Sequence, residues 1–172
     1  MRLGNRKGIS PVIATIIIVA VTLTIAISIA YWMGGIAGLY TRFEKLEITN
    51  IYMEKKTGYW LITLTVKNTG SADATIDDIM LNGVTISKVS NGTHCASYNT
   101  TDNPTDNPTI TPTSTSAGTV NISIASGGTI IIYIALPENA KMGSGTAVSG
   151  LSLEIKLHTA SGKDYPKLVV LS

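Results

Sequence analysis

ISPVIATIIIVAVTLTIAISIAYWM, residues 9–33, contains no charged side chain, and the uncharged run extends from Gly8 to Thr41. A helix of this length crosses a bilayer, which takes about 20 apolar residues at ~1.5 Å rise each. Arg2, Arg6 and Lys7 precede the run, while Arg42, Glu44, Lys45 and Glu47 come after it as a mixed set. The positive bias at the N-terminus predicts that this end stays cytoplasmic and that the chain beyond Thr41 lies outside the cell. A secretory signal peptide has a shorter apolar core, of roughly 7 to 15 residues, with a small-x-small cleavage site after it. A plain signal-anchor helix on a monomeric surface domain satisfies both length and flanking charge, and it is the alternative to a helix that also assembles.

The junction reads Arg6-Lys7-Gly8 and then Ile9-Ser10-Pro11-Val12-Ile13-Ala14. Glycine lets the backbone be drawn extended into a protease, and Pro11 suits a first helical turn, where its missing N–H costs nothing. A basic pair, a glycine and an uninterrupted apolar helix resemble the class III signal of type IV pilins. Over Lys7 to Trp32 the wording is similar to that of archaeal adhesion-type pilins. The resemblance implies cleavage between Gly8 and Ile9 by a membrane prepilin peptidase, with residues 1–8 as the leader. It further implies a homopolymer at the cell surface, raised from the bilayer by an assembly ATPase and its platform. One position departs from the bacterial pattern. Where bacterial pilins carry a glutamate as the fifth mature residue, this chain has Ile13, which points to the archaeal branch. An archaellin of a motility filament has a similar architecture, but its helix start usually lacks the ISPV word.

Thr22, Ala26, Ala30, Gly34 and Gly38 recur every fourth residue and form a nearly straight small-residue stripe, the pattern that lets helix backbones approach closely. Glycine and alanine are also simply frequent in membrane helices. The stripe predicts a helix bundle as the dry core of a fibre. Thr15, Thr22, Thr24 and Ser28 can return their hydroxyls to the carbonyl four residues back and so tolerate burial.

Charged residues are 14% of the 172, well below the usual ~25%, and threonine replaces much of the missing polarity. The net charge of +2 overstates the basic character, because residues 1–8 hold three of the thirteen Lys and Arg. Without them ten basic residues face eleven acids. No basic patch remains for nucleic acid. Cys95 is the single cysteine, so no internal disulfide exists.

The helical pattern continues through Gly34-Gly35, a candidate bend, with Ile36, Leu39, Tyr40, Phe43 and Leu46 as an amphipathic stripe. The helix segment is therefore set at residues 9–46. From Glu47 the period becomes alternating. Trp60, Ile62, Leu64 and Val66 share one face of a strand that Asn68-Thr69-Gly70-Ser71 closes as a turn. Asn82-Gly83 is the two-residue hairpin signal of a type I′ turn. Val120, Ile122 and Ile124 alternate, as do Leu151, Leu153, Ile155 and Leu157. Thr129 to Leu136, TIIIYIAL, is apolar on both faces, which predicts a central strand or one covered by a neighbouring subunit. With Glu47–Glu54 and Pro166–Leu171 the count is seven or eight strands. The expected class is α+β: a long N-terminal hydrophobic helix followed by an all-β, immunoglobulin-like sandwich head over residues 47–172. The VKNTGSADATIDDIMLNG stretch also resembles the heads of archaeal pilins.

Alternation stops between Ser90 and Gly118. Eight threonines lie within residues 100–119, Asp-Asn-Pro-Thr occurs twice, and Pro104, Pro108 and Pro112 remove backbone donors. This predicts an exposed loop over about 91–118. Asn91, Asn99 and Asn121 each open an Asn-x-Ser/Thr sequon and are candidate N-glycosylation sites. His94 beside Cys95, with His158 on another strand, lacks the spacing of a metal site. Asp102 and Asp106 lack the ligand density of a calcium loop. No nucleophile motif, phosphate-cradling loop or paired-acid site stands out, so the expectation is a structural protein with no catalytic, cofactor or metal residues.

Overall fold

The structure is a computed structural model that describes residues 10–40, 42–103 and 109–172, and side chains outside 37–40. Two units make up the chain, dividing after Arg42. The first is a single helix, α1, spanning Pro11–Tyr40. Proline at its first position and the Ser10 carbonyl, which accepts from the N–H groups of Ile13 (2.9 Å) and Ala14 (3.1 Å), define its start. The helix runs without a break through Gly34, Gly35 and Gly38.

The second unit is an antiparallel β-sandwich. Its strands are β1 (Leu46–Lys56), β2 (Tyr59–Asn68), β3 (Ala74–Leu81), β4 (Val84–Thr85), β5 (Ser97–Thr101), β6 (Ile122–Ile124), β7 (Thr129–Pro137), β8 (Lys141–Met142), β9 (Gly145–Thr146), β10 (Ser152–Thr159) and β11 (Asp164–Val170). One sheet has the order β1-β2-β7-β5. The other runs β11-β10-β3-β4, with β6 also paired to β3, and β8 and β9 form a separate small hairpin. Between the sheets lie Trp60, Ile62, Leu64 and Val66 from β2, Ile132, Ile134 and Leu136 from β7, Ile76, Ile79 and Leu81 from β3, and Leu153, Ile155 and Leu157 from β10. The expected class, one apolar helix followed by a β-sandwich head, is the one observed.

Two bulges explain where the alternation slips by one residue. In β1, Ile48 faces Val66 but Asn50 faces Thr65, so Thr49 is the extra residue and Leu46, Ile48, Ile51 and Met53 all turn inward. In β3, His158 faces Asp78 and Thr159 faces Ile76, so Asp77 is extra and both Ile76 and Ile79 reach the core. Asp77 and Asp78 therefore sit at a bulge of β3. The Asn82-Gly83 turn has positive φ at both residues, 49° and 77°, as a type I′ hairpin requires.

Three expectations need correction. The helix ends at Tyr40 and not at residue 46, because Leu46 is a core residue of β1, 3% exposed. The proposed stripe through Phe43 and Leu46 is broken accordingly, and Phe43 is half exposed. The segment 91–118 is not one exposed loop. Residues 97–101 form edge strand β5 against β7, Ala96 is fully buried, and Ile110 is 8% exposed. Ile110 packs with Leu61, Ile131, Tyr133 and Ala135, so the outer apolar face of TIIIYIAL is covered by the chain's own returning segment. Backbone pairing of Cys95 with Thr113 and a bond from Ser97 Oγ to the Thr111 carbonyl (2.9 Å) hold that return in place. Pro104 and Asp106 lie outside the described residues, as does Pro108.

Candidate functional site

Helix α1 carries a large exposed apolar surface. Between Val12 and Ile29, eleven large aliphatic side chains are each more than half exposed, and Tyr31, Trp32 and Met33 are exposed as well. The 26 residues Pro11–Ile36 are long and apolar enough to cross a membrane. Thr22, Thr24 and Ser28 return their hydroxyls to the carbonyl four residues back as expected, and Thr15 uses the one three residues back. Thr15 donates to the Val12 carbonyl (2.8 Å), Thr22 to Ile18 and Val19 (2.9 Å each), Thr24 to Ala20 (2.8 Å) and Ser28 to Thr24 (2.8 Å). Their hydrogen-bonding capacity is met inside the helix, so the surface offered outward is effectively apolar.

Thr22, Ala26, Ala30 and Gly34 lie on this helix at four-residue steps, and Gly38 belongs to its last turn. No atom lies within 4 Å of a Cβ built on Gly34 or Gly35, so no contact within the described chain requires glycine there. The residues assigned to leader processing, Arg6, Lys7, Gly8 and Ile9, lie outside the described residues.

The sequons are distributed over the head. All three asparagines are exposed. Asn91 precedes β5 and bonds through both side-chain polar atoms: its Oδ1 accepts from the N–H groups of Thr93 (3.0 Å) and His94 (2.8 Å), and its Nδ2 donates to the Glu138 carbonyl (3.0 Å). Asn99 lies on β5 of the first sheet, and Asn121 immediately precedes β6 of the second.

Sequence reading missed one charged cluster. The β10–β11 hairpin sets His158 opposite Asp164, with Nδ1 2.5 Å from Oδ1, and Lys156 Nζ lies 3.3 Å from Oδ2 of the same carboxylate. The hydrogen bond to Asp164 raises the His158 pKa above its usual 6.5, with the charges of Asp77, Asp164 and Asp78 adding to it against some desolvation. The same bond, joined by Lys156, holds the Asp164 pKa below its usual 3.8. A sequence signal existed for this pair: Ala160-Ser161-Gly162 between two strands is a hairpin turn, and counting outward from it pairs residues 158 and 164. His158 also borders an open groove of about 500 Å³ lined by Asp77, Asp78, Thr85, Ser87 and Val120, where Thr85 Oγ1 donates to Asp78 Oδ2 (2.8 Å). Among the described residues, no group of three or more His, Cys, Asp or Glu is placed to hold a metal ion.

No family model matches the sequence, and no curated protein matches it. Among solved structures the chain is similar to one described as the structure of the Iho670 flagellar-like filament, with 14% identity over 95% of this chain and 99% of that one, at a TM-score of 0.40.

Proposed function

We propose that the chain is a structural subunit of an extracellular filament of the archaeal type IV pilus kind, which polymerises through α1. The observation that carries the reading is the unburied apolar surface of α1 in a chain whose head closes its own core. Burying eleven half-exposed aliphatic side chains is worth on the order of 10 kcal/mol, so α1 needs either lipid or other helices around it. A bilayer meets that need before assembly, and copies of the same helix meet it afterwards. Gly34, which has no neighbour within 4 Å of a Cβ position among the described residues and lies on the stripe of small residues, supports the second stage.

In this reading the leader is cut after Gly8 by a prepilin peptidase on the cytoplasmic side, and an ATPase-driven platform lifts the subunit out of the membrane. The immunoglobulin-like heads coat the fibre. Glycans on Asn91, Asn99 or Asn121 would solubilise a surface poor in charge, and adhesion to a surface is the natural task of such a coat. The role is structural, with no catalytic chemistry. A monomeric signal-anchored surface domain uses the same exposed helix and differs in keeping its leader and forming no polymer.

Mass spectrometry of the N-terminal peptide from material sheared off cells tests the choice. A peptide beginning at Ile9 from sheared fibres is the expected result. A peptide beginning at Met1, with the protein confined to the membrane fraction, would replace the filament subunit by the anchored monomer.

A further inference from the structure

The apolar surface of α1 is longer than a bilayer is thick, so lipid can cover only part of an upright helix. Thirty residues of helix extend about 45 Å, against a hydrocarbon core of ~30 Å. If the whole span Pro11–Ile36 were immersed, its length of roughly 39 Å would need a tilt of about 40°, the extreme of what membrane helices adopt. Residues 10–30 extend about 31 Å, which fits the core at the ordinary tilt of ~20°.

Next in the chain come Tyr31 and Trp32, 87% and 66% exposed. Up to Ala30 each described serine or threonine of the helix from Thr15 onward returns its hydroxyl to a backbone carbonyl. A phenol or an indole is too rigid to do the same. These rings combine an apolar body with a polar group that seeks water or a headgroup, the chemistry of the bilayer interface.

We propose that Tyr31 and Trp32 seat at the outer headgroup boundary and set the depth of the inserted subunit, leaving Met33–Tyr40 above the hydrocarbon. The partner is the glycerol and headgroup layer of a phospholipid bilayer. This rests on the membrane-inserted stage of the proposed function, which the filament subunit and the anchored monomer share. About 12 Å of glycine-containing helix then stands outside the hydrocarbon before any assembly. Gly34 and Gly38, the outer end of the small-residue stripe, are in that part. First contact between subunits can thus occur outside the hydrocarbon, before the rest of the helix leaves the membrane.

Tryptophan fluorescence of the full chain in phosphatidylcholine vesicles tests this directly. Trp60, the other tryptophan, is 2% exposed inside the head and is shielded from lipid. Lipid brominated next to the headgroup should quench Trp32 about twofold more than lipid brominated at the chain ends, because half of the ~30 Å core, about 15 Å, separates the two depths. The quenched component should vanish in Trp32→Phe. Adding Val19→Trp to that variant places an indole near mid-bilayer and should reverse the ranking. Stronger quenching of Trp32 by chain-end bromines, or none in protein that floats with the vesicles, overturns the proposal. Protein that fails to float at all removes the membrane-inserted stage itself, a distinct result that takes this inference with it.

Discussion

The backbone of Phe43 runs directly over Gly70. The Phe43 carbonyl accepts from the N–H groups of Ser71 (2.9 Å) and Ala72 (3.1 Å), and its own N–H donates to Ser71 Oγ (3.1 Å). A Cβ on Gly70 would meet that carbonyl and lie 2.6 Å from Lys45 N. Thr69 N–H completes the clamp by donating to the Lys45 carbonyl at 2.8 Å. The chain entering the head is thus bonded to the turn after β2.

Gly70→Ala should destabilise the head by about 1–3 kcal/mol, because the opposing atoms are backbone and cannot swing aside. Urea unfolding followed by Trp60 fluorescence reads this. An unchanged midpoint would show that the neck is not held against the turn.

Asn68 is fully buried and joins three backbone groups, donating to the Ala72 (2.8 Å) and Ile124 (3.1 Å) carbonyls and accepting from Gly70 N (3.0 Å). Asn68→Ala leaves all three short of a partner in a dry site, at a cost of about 2–4 kcal/mol. Asn68→Leu should be no milder, since volume is not what the site lacks. A Leu variant as stable as the parent would sink this account.

Ile110→Ala should cost about 1–3 kcal/mol and open the outer face of Leu61, Ile131 and Tyr133. Limited proteolysis should then cut within residues 102–118 faster than in the parent. Unaltered stability and cleavage would mean the segment is an ordinary exposed loop.

The His158–Asp164 pair makes a pH-dependent contribution. A raised His158 pKa adds stability that is whole below about pH 6.5 and disappears as pH rises through the folded value. A lowered Asp164 pKa adds stability that is whole above about pH 3.8 and disappears as pH falls through the folded value. Both contributions are therefore complete between about pH 4 and 6.5. Asp164→Asn should lower the thermal midpoint more at about pH 5.5 than at about pH 8.5. Equal losses at the two pH values would exclude the pair as the source.

Gly34→Leu should raise helix propensity by up to ~1 kcal/mol and leave head stability unchanged, yet reduce the yield of sheared filaments. Normal filament yield would remove the small-residue stripe from the assembly interface.

Much of this was legible in the residues. The uncharged run fixes a membrane-length helix because charge and length suffice for that conclusion, and Asn82-Gly83 dictates its hairpin because only positive φ fits a type I′ turn. The core faces of β2 and β10 come from period-two alternation. What escaped depended on contacts distant in sequence. Phe43 and Leu46 continue a helical spacing, but Leu46 gains more by entering the head core, so α1 stops at Tyr40. Thr49 and Asp77 are invisible as bulges until the partner strand shows which residue is extra. Ile110 sits in a threonine- and proline-rich stretch that reads as solvent-exposed, and only the apolar outer face of β7 gives it a place to be buried. Local pattern sets the type of an element, whereas its ends, its bulges and what covers its second face are decided by neighbours that the fold alone brings together.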